Sequence, residues 1–242
     1  MKIALISDIH GNLPALDAVL KDINKQKADR IICLGDVATI GPQPLQVLER
    51  LMKLKCDFIM GNHDATLLQP DAAAHYQIGE PLWPMLNWCG EQISEKHLNF
   101  LRTFRPVLEV ELTDENILLC FHGSPNSNTD NIYATTPGAE VENLIGVLRD
   151  NLLAGGHTHI QMLRKHHGKT LINTGSVGCA FRRTPRPDET PELLPQAEYA
   201  VVEINNKNLS VDLKQVHFDT QAYKKIIAES GNPLKGWLLA QY

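Results

Sequence analysis

The stretch SDIHGN places a carboxylate, Asp8, two residues before an imidazole, His10. Similar chemistry recurs along the chain: GDV carries Asp36, GNHD carries Asn62, His63 and Asp64, FHG carries His122, and GGHTH carries His157 and His159. Each follows a short apolar run. Taken singly, each has an ordinary reading: DxH as a helix cap and a turn histidine, GD as a turn, HTH as alternating strand residues. Taken together they supply two carboxylates, one amide and four imidazoles at successive strand ends. Mixed imidazole and carboxylate donors without thiolate suit Mn, Fe, Zn, Ni or Co. Seven donors exceed one ion but fit two, and two ions about 3.5–4 Å apart need an anionic bridge.

These residues converge only if the elements before them lie in one sheet system. KIALIS (2–7) reads as a buried parallel strand. Asn12 and Pro14 open a helix with Leu13, Leu16, Leu20 and Ile23 on one face. RIICLG (30–35), a helix bearing Leu45, Leu48, Leu51 and Met52, and CDFIMG (56–61) complete a β-α-β-α-β unit. In open α/β sheets, ligands bind beyond the carboxyl ends of the strands. Residues 66–105 read as a helical insertion at the edge of the core and a candidate lid. VLEVEL (107–112) and NILLCFHG (116–123) form a hairpin, and Thr136 and Pro137 start a helix with Val141, Leu144, Ile145 and Leu148 on one face. NLLAGG (151–156) is a strand, and residues 161–175 form a hairpin turning near Gly168. A Pro-rich loop spans 180–197, AEYAVVEI and LSVDLKQVHF form two alternating strands, and a helix from about 219 and a tail with Trp237 follow. One domain over 1–242 is the expected organisation.

Composition narrows the function classes. Hydrophobic residues make up 43% and charged residues 21%, enough apolar content for a substantial core. The net charge of −5 argues against a general nucleic-acid binder. Cys33, Cys56, Cys89, Cys120 and Cys179 form no CxxC pair and read as reduced thiols, which points to the cytoplasm. MKIALISD lacks a signal-peptide core, and no segment has the roughly 20 apolar residues of a membrane span. His75, His97, His166, His167 and His217 read as surface or packing residues, and RKHHGK (164–169) as a solvated hairpin tip.

The ordered set SDIHG, GDV, GNHD, FHG and GGHTH resembles the calcineurin-like metallophosphoesterases over about residues 1–180. GDVATIGPQP and NTGSVG resemble the small bacterial and archaeal phosphodiesterase-like branch. The resemblance implies a four-layer α/β/β/α sandwich of two mixed sheets with the site at one end. It implies one divalent ion on Asp8, His10, Asp36 and His159, and a second on Asp36, Asn62, His122 and His157, bridged by Asp36. Manganese is the first expectation, with Fe, Zn, Ni, Co or Mg as alternatives. His63 matches the non-ligand histidine that faces the substrate.

The implied activity is hydrolysis of small-molecule phosphodiesters or phosphomonoesters, with nucleotides and dinucleoside polyphosphates among the candidates. A phosphoprotein phosphatase, a nuclease and a non-catalytic protein-binding scaffold are the alternatives on this fold. Where the protein-phosphatase branch carries an Asp that orients the substrate-facing histidine, this chain has Thr39, and no Arg follows. Phosphate contacts must then come from elsewhere. Asn12 sits at a helix N-terminus, where it caps the helix or helps that terminus hold a phosphate oxygen. Arg182 and Arg183 follow NTGSVG and have the guanidinium geometry for bidentate phosphate binding. Homo-oligomers are open.

Overall fold

The computed structural model describes residues 1–186, 189–205 and 208–242. Its opening unit follows from the alternation of short apolar runs with amphipathic segments: β1 (Lys2–Ile6), α1 (Leu13–Gln26), β2 (Arg30–Cys33), α2 (Pro44–Leu51) and β3 (Asp57–Phe58). β1 pairs in parallel with β2, and β2 with β3. β3 is shorter than the 56–61 run predicts. Past Phe58 only a single bridge continues, from Ile59 to Arg105, and the Met60 N–H turns to the Arg105 carbonyl at 2.8 Å.

β9 (Ala197–Asn205) and β10 (Asn208–Val216) complete this sheet in the order β10-β9-β1-β2-β3. The expected inside–outside alternation holds for β10 but not for β9, which is buried on both faces. The reason is position: β9 pairs with β1 on one side and β10 on the other. Tyr199 and Val201 pack on the helices, while Ala200, Val202 and Ile204 face the second sheet.

The second sheet comprises β4 (Leu108–Thr113), β5 (Asn116–Cys120), β6 (Leu152–Gly155), β7 (Met162–His166) and β8 (Lys169–Asn173), in the order β4-β5-β6-β8-β7. β5, β6 and β8 run parallel, with antiparallel strands at both edges. Ile3, Leu5, Ile32 and Leu34 meet Leu118, Cys120, Leu152 and Ala154 between the sheets. Ala4 and Ile6 point the other way, into the core under α1, as period-two alternation requires. α6 (Gly138–Ile145) covers the far face of the second sheet through Val141 and Ile145. The four-layer α/β/β/α sandwich is thus the observed architecture. α6 ends before Leu148 because Gly146 takes a φ of 67° and breaks the helix.

Residues 66–105 are largely helical, with α3 (Asn62–Leu68), α4 (Trp83–Gln92), α5 (Glu95–Leu101) and 3-10 turns at 70–72 and 80–82. Leu67, Met85, Leu86, Cys89 and Leu101 join the same core as α1 and α2. α7 (Thr220–Glu229) and α8 (Lys235–Gln241) pack on that face as well, through Tyr223, Ile227 and Leu238. All five cysteines are free thiols, and four are buried. The hairpin tip is more fastened than a solvated loop. His166 is buried, and the Lys169 ammonium donates to the Leu148 and Asp150 carbonyls at 2.7 and 2.6 Å. In the 180–197 loop, Pro187 and Asp188 lie outside the described residues. Among the described residues no helix is long and apolar enough to cross a membrane.

Candidate metal centre

The parallel strands of both sheets deliver their carboxyl ends to one edge of the sandwich. The loops after β1, β2 and β3 bring Asp8, His10, Asp36, Asn62 and His63; those after β5 and β6 bring His122, His157 and His159. Asp8, His10 and His159 place donor atoms within 4.8 Å of one another, and so do Asp36, His122 and His157. Asn62 Oδ1 lies 3.2 Å from His122 Nε2 and so joins the second group. Asp36 Oδ2 lies 3.2 Å from His122 Nε2 and 4.0 Å from His10 Nε2, so one carboxylate reaches both groups.

Outer hydrogen bonds fix the ligand faces. His122 Nδ1–H donates to the Leu34 carbonyl at 2.6 Å, and His159 Nδ1–H to the Cys179 carbonyl at 2.8 Å. Both rings therefore turn a lone pair on Nε2 inward. The Asn62 amide donates to the Tyr76 carbonyl at 3.0 Å, which leaves Oδ1 facing the centre. Tyr76 belongs to the helical insertion, and nothing in its own sequence signals this task.

The backbone is bent to the same purpose. Asp8, His10, Asp36, His157 and His159 all have positive φ, between 45° and 66°. Non-glycine residues avoid this region unless the surroundings impose it, and such strain clusters at functional sites. The imposing contacts are visible. Asp64 Oδ2 accepts from the Asp36 and Gly61 N–H groups at 2.7 and 3.1 Å, and Oδ1 from Val37 at 2.9 Å. Asp64 therefore caps the start of α3, as its position in GNHD suggests, and also ties the β2 loop to the β3 loop. A Cβ on Gly61 would meet Asp36 Oδ1 at 2.0 Å, so only glycine fits there. NTGSVG supports the loops from behind: Ser176 Oγ donates to the Asp8 carbonyl at 2.7 Å and Asn173 Nδ2 to Thr158 Oγ1 at 3.0 Å.

Electrostatics favour cations. Burial pushes the Asp8 carboxyl upward, but His159 and His122 pull it down further, to about 2. Burial also works against charge on Asp36, yet His122 and His63 hold it well below the carboxylate range. Burial pushes His10 well down and His157 to about 4. Burial opposes charge on His122 too, but Asp36 raises it to about 10. Asp8 Oδ1 is buried and lies 3.2 Å from His159 Nε2 without hydrogen-bond alignment. His10 Nε2 and His159 Nε2 face each other at 3.0 Å. A carboxylate oxygen without a hydrogen-bond donor beside converging imidazole nitrogens is the donor set of a divalent-ion site, and the residues fit such ions.

His63 does have an orienting partner. Thr39 Oγ1 lies 3.0 Å from His63 Nδ1 and 3.1 Å from His10 Nδ1. A hydroxyl that accepts from His10 and donates to His63 leaves an N–H on His63 Nε2. Burial lowers the His63 pKa, only partly opposed by Asp36, so the ring is a neutral hydrogen-bond donor at neutral pH.

The three residues expected to contact phosphate have partners within the fold. Asn12 is fully buried; its Oδ1 caps α1 through the Ala15 N–H at 3.1 Å and its Nδ2 donates to the Gly178 carbonyl at 3.3 Å. Both ends of the amide are engaged in structure. Arg182 and Arg183 are exposed and pair within their own loop, Arg182 with Glu192 at 2.7 Å and Arg183 with Glu189. Glu189 and Glu192 of the same loop are the competing partners of the two arginines.

A cavity of about 460 Å³ opens over Asp36, Asn62, His63, His157 and His159. Its walls include Ile78, Pro81 and Leu82 of the insertion that the sequence marks as a candidate lid, and Leu234 and Trp237, for which the sequence carries no such signal. A smaller cavity of about 330 Å³, beside Pro70 and Trp83, lies away from the metal-competent residues.

Two mixed sheets with carboxylates and imidazoles converging at one edge define a metallophosphoesterase-type hydrolase. Residues 1–207 match the family model of the calcineurin-like phosphoesterase superfamily domain, and the chain belongs to that family. It is a metal-dependent phosphoester hydrolase. It is 28% identical over 252 residues to the protein MJ0912 of Methanocaldococcus jannaschii, covering 98% of this chain and 95% of that one. It is 27% identical over 187 residues to the phosphodiesterase YfcE of Escherichia coli, covering 73% and 79%. A symmetrical bis(5'-nucleosyl)-tetraphosphatase of Yersinia pestis is 31% identical over 146 residues, 59% of this chain and 48% of that one. Among solved structures, a metallophosphoesterase from Sphaerobacter thermophilus superposes with a TM-score of 0.71 at 25% identity, covering 100% of this chain and 98% of that one.

Proposed function

We propose that the chain is a binuclear phosphoesterase acting on small-molecule phosphodiesters or phosphomonoesters, with manganese as the preferred metal. The observation that carries this reading is the position of Asp36, within 4.0 Å of imidazoles from both donor groups and at the floor of the cavity. Asp8, His10, Asp36 and His159 would hold one ion, and Asp36, Asn62, His122 and His157 the other. Bound ions supply Lewis acidity toward a phosphate oxygen and a lowered pKa for water.

The chain's own residues do the rest. His63 lines the cavity and presents its Nε2–H to the leaving oxygen, stabilising the charge that develops there. Thr39 holds that ring in place, while the Leu34 and Cys179 carbonyls keep His122 and His159 turned inward. The segment 78–82 shields the floor from one side, which supports the role of the insertion as a lid.

The test is a panel of aryl phosphate mono- and diesters, mononucleotides, cyclic nucleotides, dinucleoside polyphosphates, single-stranded DNA and phosphopeptides, run with Mn, Ni, Zn and Mg. Hydrolysis of small esters, strongest with Mn, lost in Asp36→Asn and reduced on the order of 10²–10⁴-fold in His63→Ala, is the expected result. Wild type and His63→Ala that are equally inert on every ester would overturn the reading.

A further inference from the structure

The metal centre forms the floor of the cavity; its walls are of a different character. They include Ile78 and Leu82 from the insertion, and Phe181 and Pro191 from the loop after NTGSVG. Leu234 and Trp237, at and just inside the start of α8, line the cavity as well. Among the described residues no lysine or arginine lines it, and the polar wall groups, Gln77 and Thr190, are neutral. Arg182 and Arg183 lie next in sequence to Phe181 but are turned onto Glu192 and Glu189. The Phe181 ring packs on the candidate ligand His159, with ring centroids 4.5 Å apart, so the aromatic wall begins directly at the metal floor.

We infer that the substrate carries a single phosphate whose alcohol side is a flat, uncharged ring system, and that Phe181, Leu82 and Trp237 select it. This inference rests on the phosphoesterase reading above and narrows it. A pocket of about 460 Å³ holds a phosphate and one or two fused rings. An aromatic group replaces water against apolar walls and stacks on facing rings. A polyphosphate chain would instead bring further negative charges against walls without a cationic side chain. Burying an unpaired charge is heavily penalised. The likeness to a dinucleoside tetraphosphatase therefore extends to the shared hydrolase chemistry and not to the chain of phosphates.

Two measurements on the metal-loaded protein test this. In calorimetric titration, phenylphosphonate is expected to bind at least about tenfold more tightly than methylphosphonate, the gain from burying one ring. Trp237→Ala should remove most of that difference and leave methylphosphonate affinity unchanged. Trp237→Phe keeps a ring in the wall and should preserve the difference, which separates loss of stacking from misfolding. In steady-state kinetics, kcat/KM for phenyl phosphate should exceed that for glycerol 2-phosphate and for diadenosine tetraphosphate by at least about tenfold. Equal affinity for the two phosphonates, or a tetraphosphate turned over as well as the aryl ester, overturns the inference while leaving the phosphoesterase reading intact. Failure to hydrolyse any ester overturns that reading and this inference together.

Discussion

At the residue scale, Thr39 is the position where the sequence and the structure say most together. The sequence shows that a hydroxyl stands where a carboxylate orients the histidine in related phosphatases; the structure shows the hydroxyl bridging His10 and His63. A carboxylate would favour a charged imidazole, whereas a hydroxyl serves a neutral one. Thr39→Val should lower kcat about 10–100-fold and Thr39→Ser should restore it. Adding Thr39→Val to His63→Ala should cost almost nothing more, because in the proposed mechanism Thr39 acts through the His63 ring. Additive losses in that cycle would mean that Thr39 acts through His10 instead. Glu198, which is not among the candidate ligands, gives a pH prediction. It is buried, and burial raises its pKa from 4.5 to about 7, with Gln215 opposing. The folded state thus holds this proton more tightly than the unfolded chain. Its contribution is fully present below about 4.5 and lost as pH rises toward about 7. Glu198→Gln should be more stable than wild type at pH 8 by up to about 3 kcal/mol, with the difference nearly gone at pH 4.5. Urea unfolding at the two pH values decides it; an equal offset at both would refute the linkage.

At the scale of elements, the site is built from strand ends, and that part is legible in the sequence. Apolar runs ending in SD, GD and GNH mark where strands stop, and parallel pairing brings their ends together. What local pattern does not show is which strand sits inside a sheet. AEYAVVEI reads as an alternating strand, yet β9 has sheet on both edges and packing on both faces. Nor does pattern reveal the strain: five candidate ligands adopt left-handed backbone because neighbouring loops hold them there. Gly61 tests how tightly. A Cβ at that position comes within 2.6 Å of the Asp36 N–H as well as against its carboxylate. Gly61→Ala should destabilise the fold by about 1–3 kcal/mol. It should also release metal, since Asp36 cannot move without leaving both donor groups. Chemical denaturation with metal content measured by atomic emission checks both; a variant that keeps stability and metal would show the β2 and β3 loops to be looser than the contacts indicate.

At the scale of the whole molecule, the ordered motifs make the fold class and the candidate ligand groups legible, while the cavity above them is not. Its walls come from segments with no motif, brought in by contacts nearly the full chain apart. Asn232 is the anchor. Its Nδ2 donates to the Ile40 and Gly41 carbonyls at 2.7 and 3.0 Å, and its Oδ1 accepts from Leu234 at 2.7 Å. These bonds fasten the start of α8 to the loop that carries Asp36 and Thr39, and they put Leu234 and Trp237 over the metal floor. Asn232 is buried, so its removal leaves two carbonyls without their donor. Asn232→Ala should therefore cost about 2 kcal/mol. The effect should be regional, because β4 to β8 are packed elsewhere. In hydrogen exchange, Gly41, whose N–H donates to His10 at 3.0 Å, should lose protection, while β5 and β6 keep theirs. KM for an aryl ester should rise with kcat nearly unchanged, since the ring wall loosens and the metal floor does not. A fall in kcat without a change in KM would place the C-terminal segment in support of the metal centre rather than of the cavity wall.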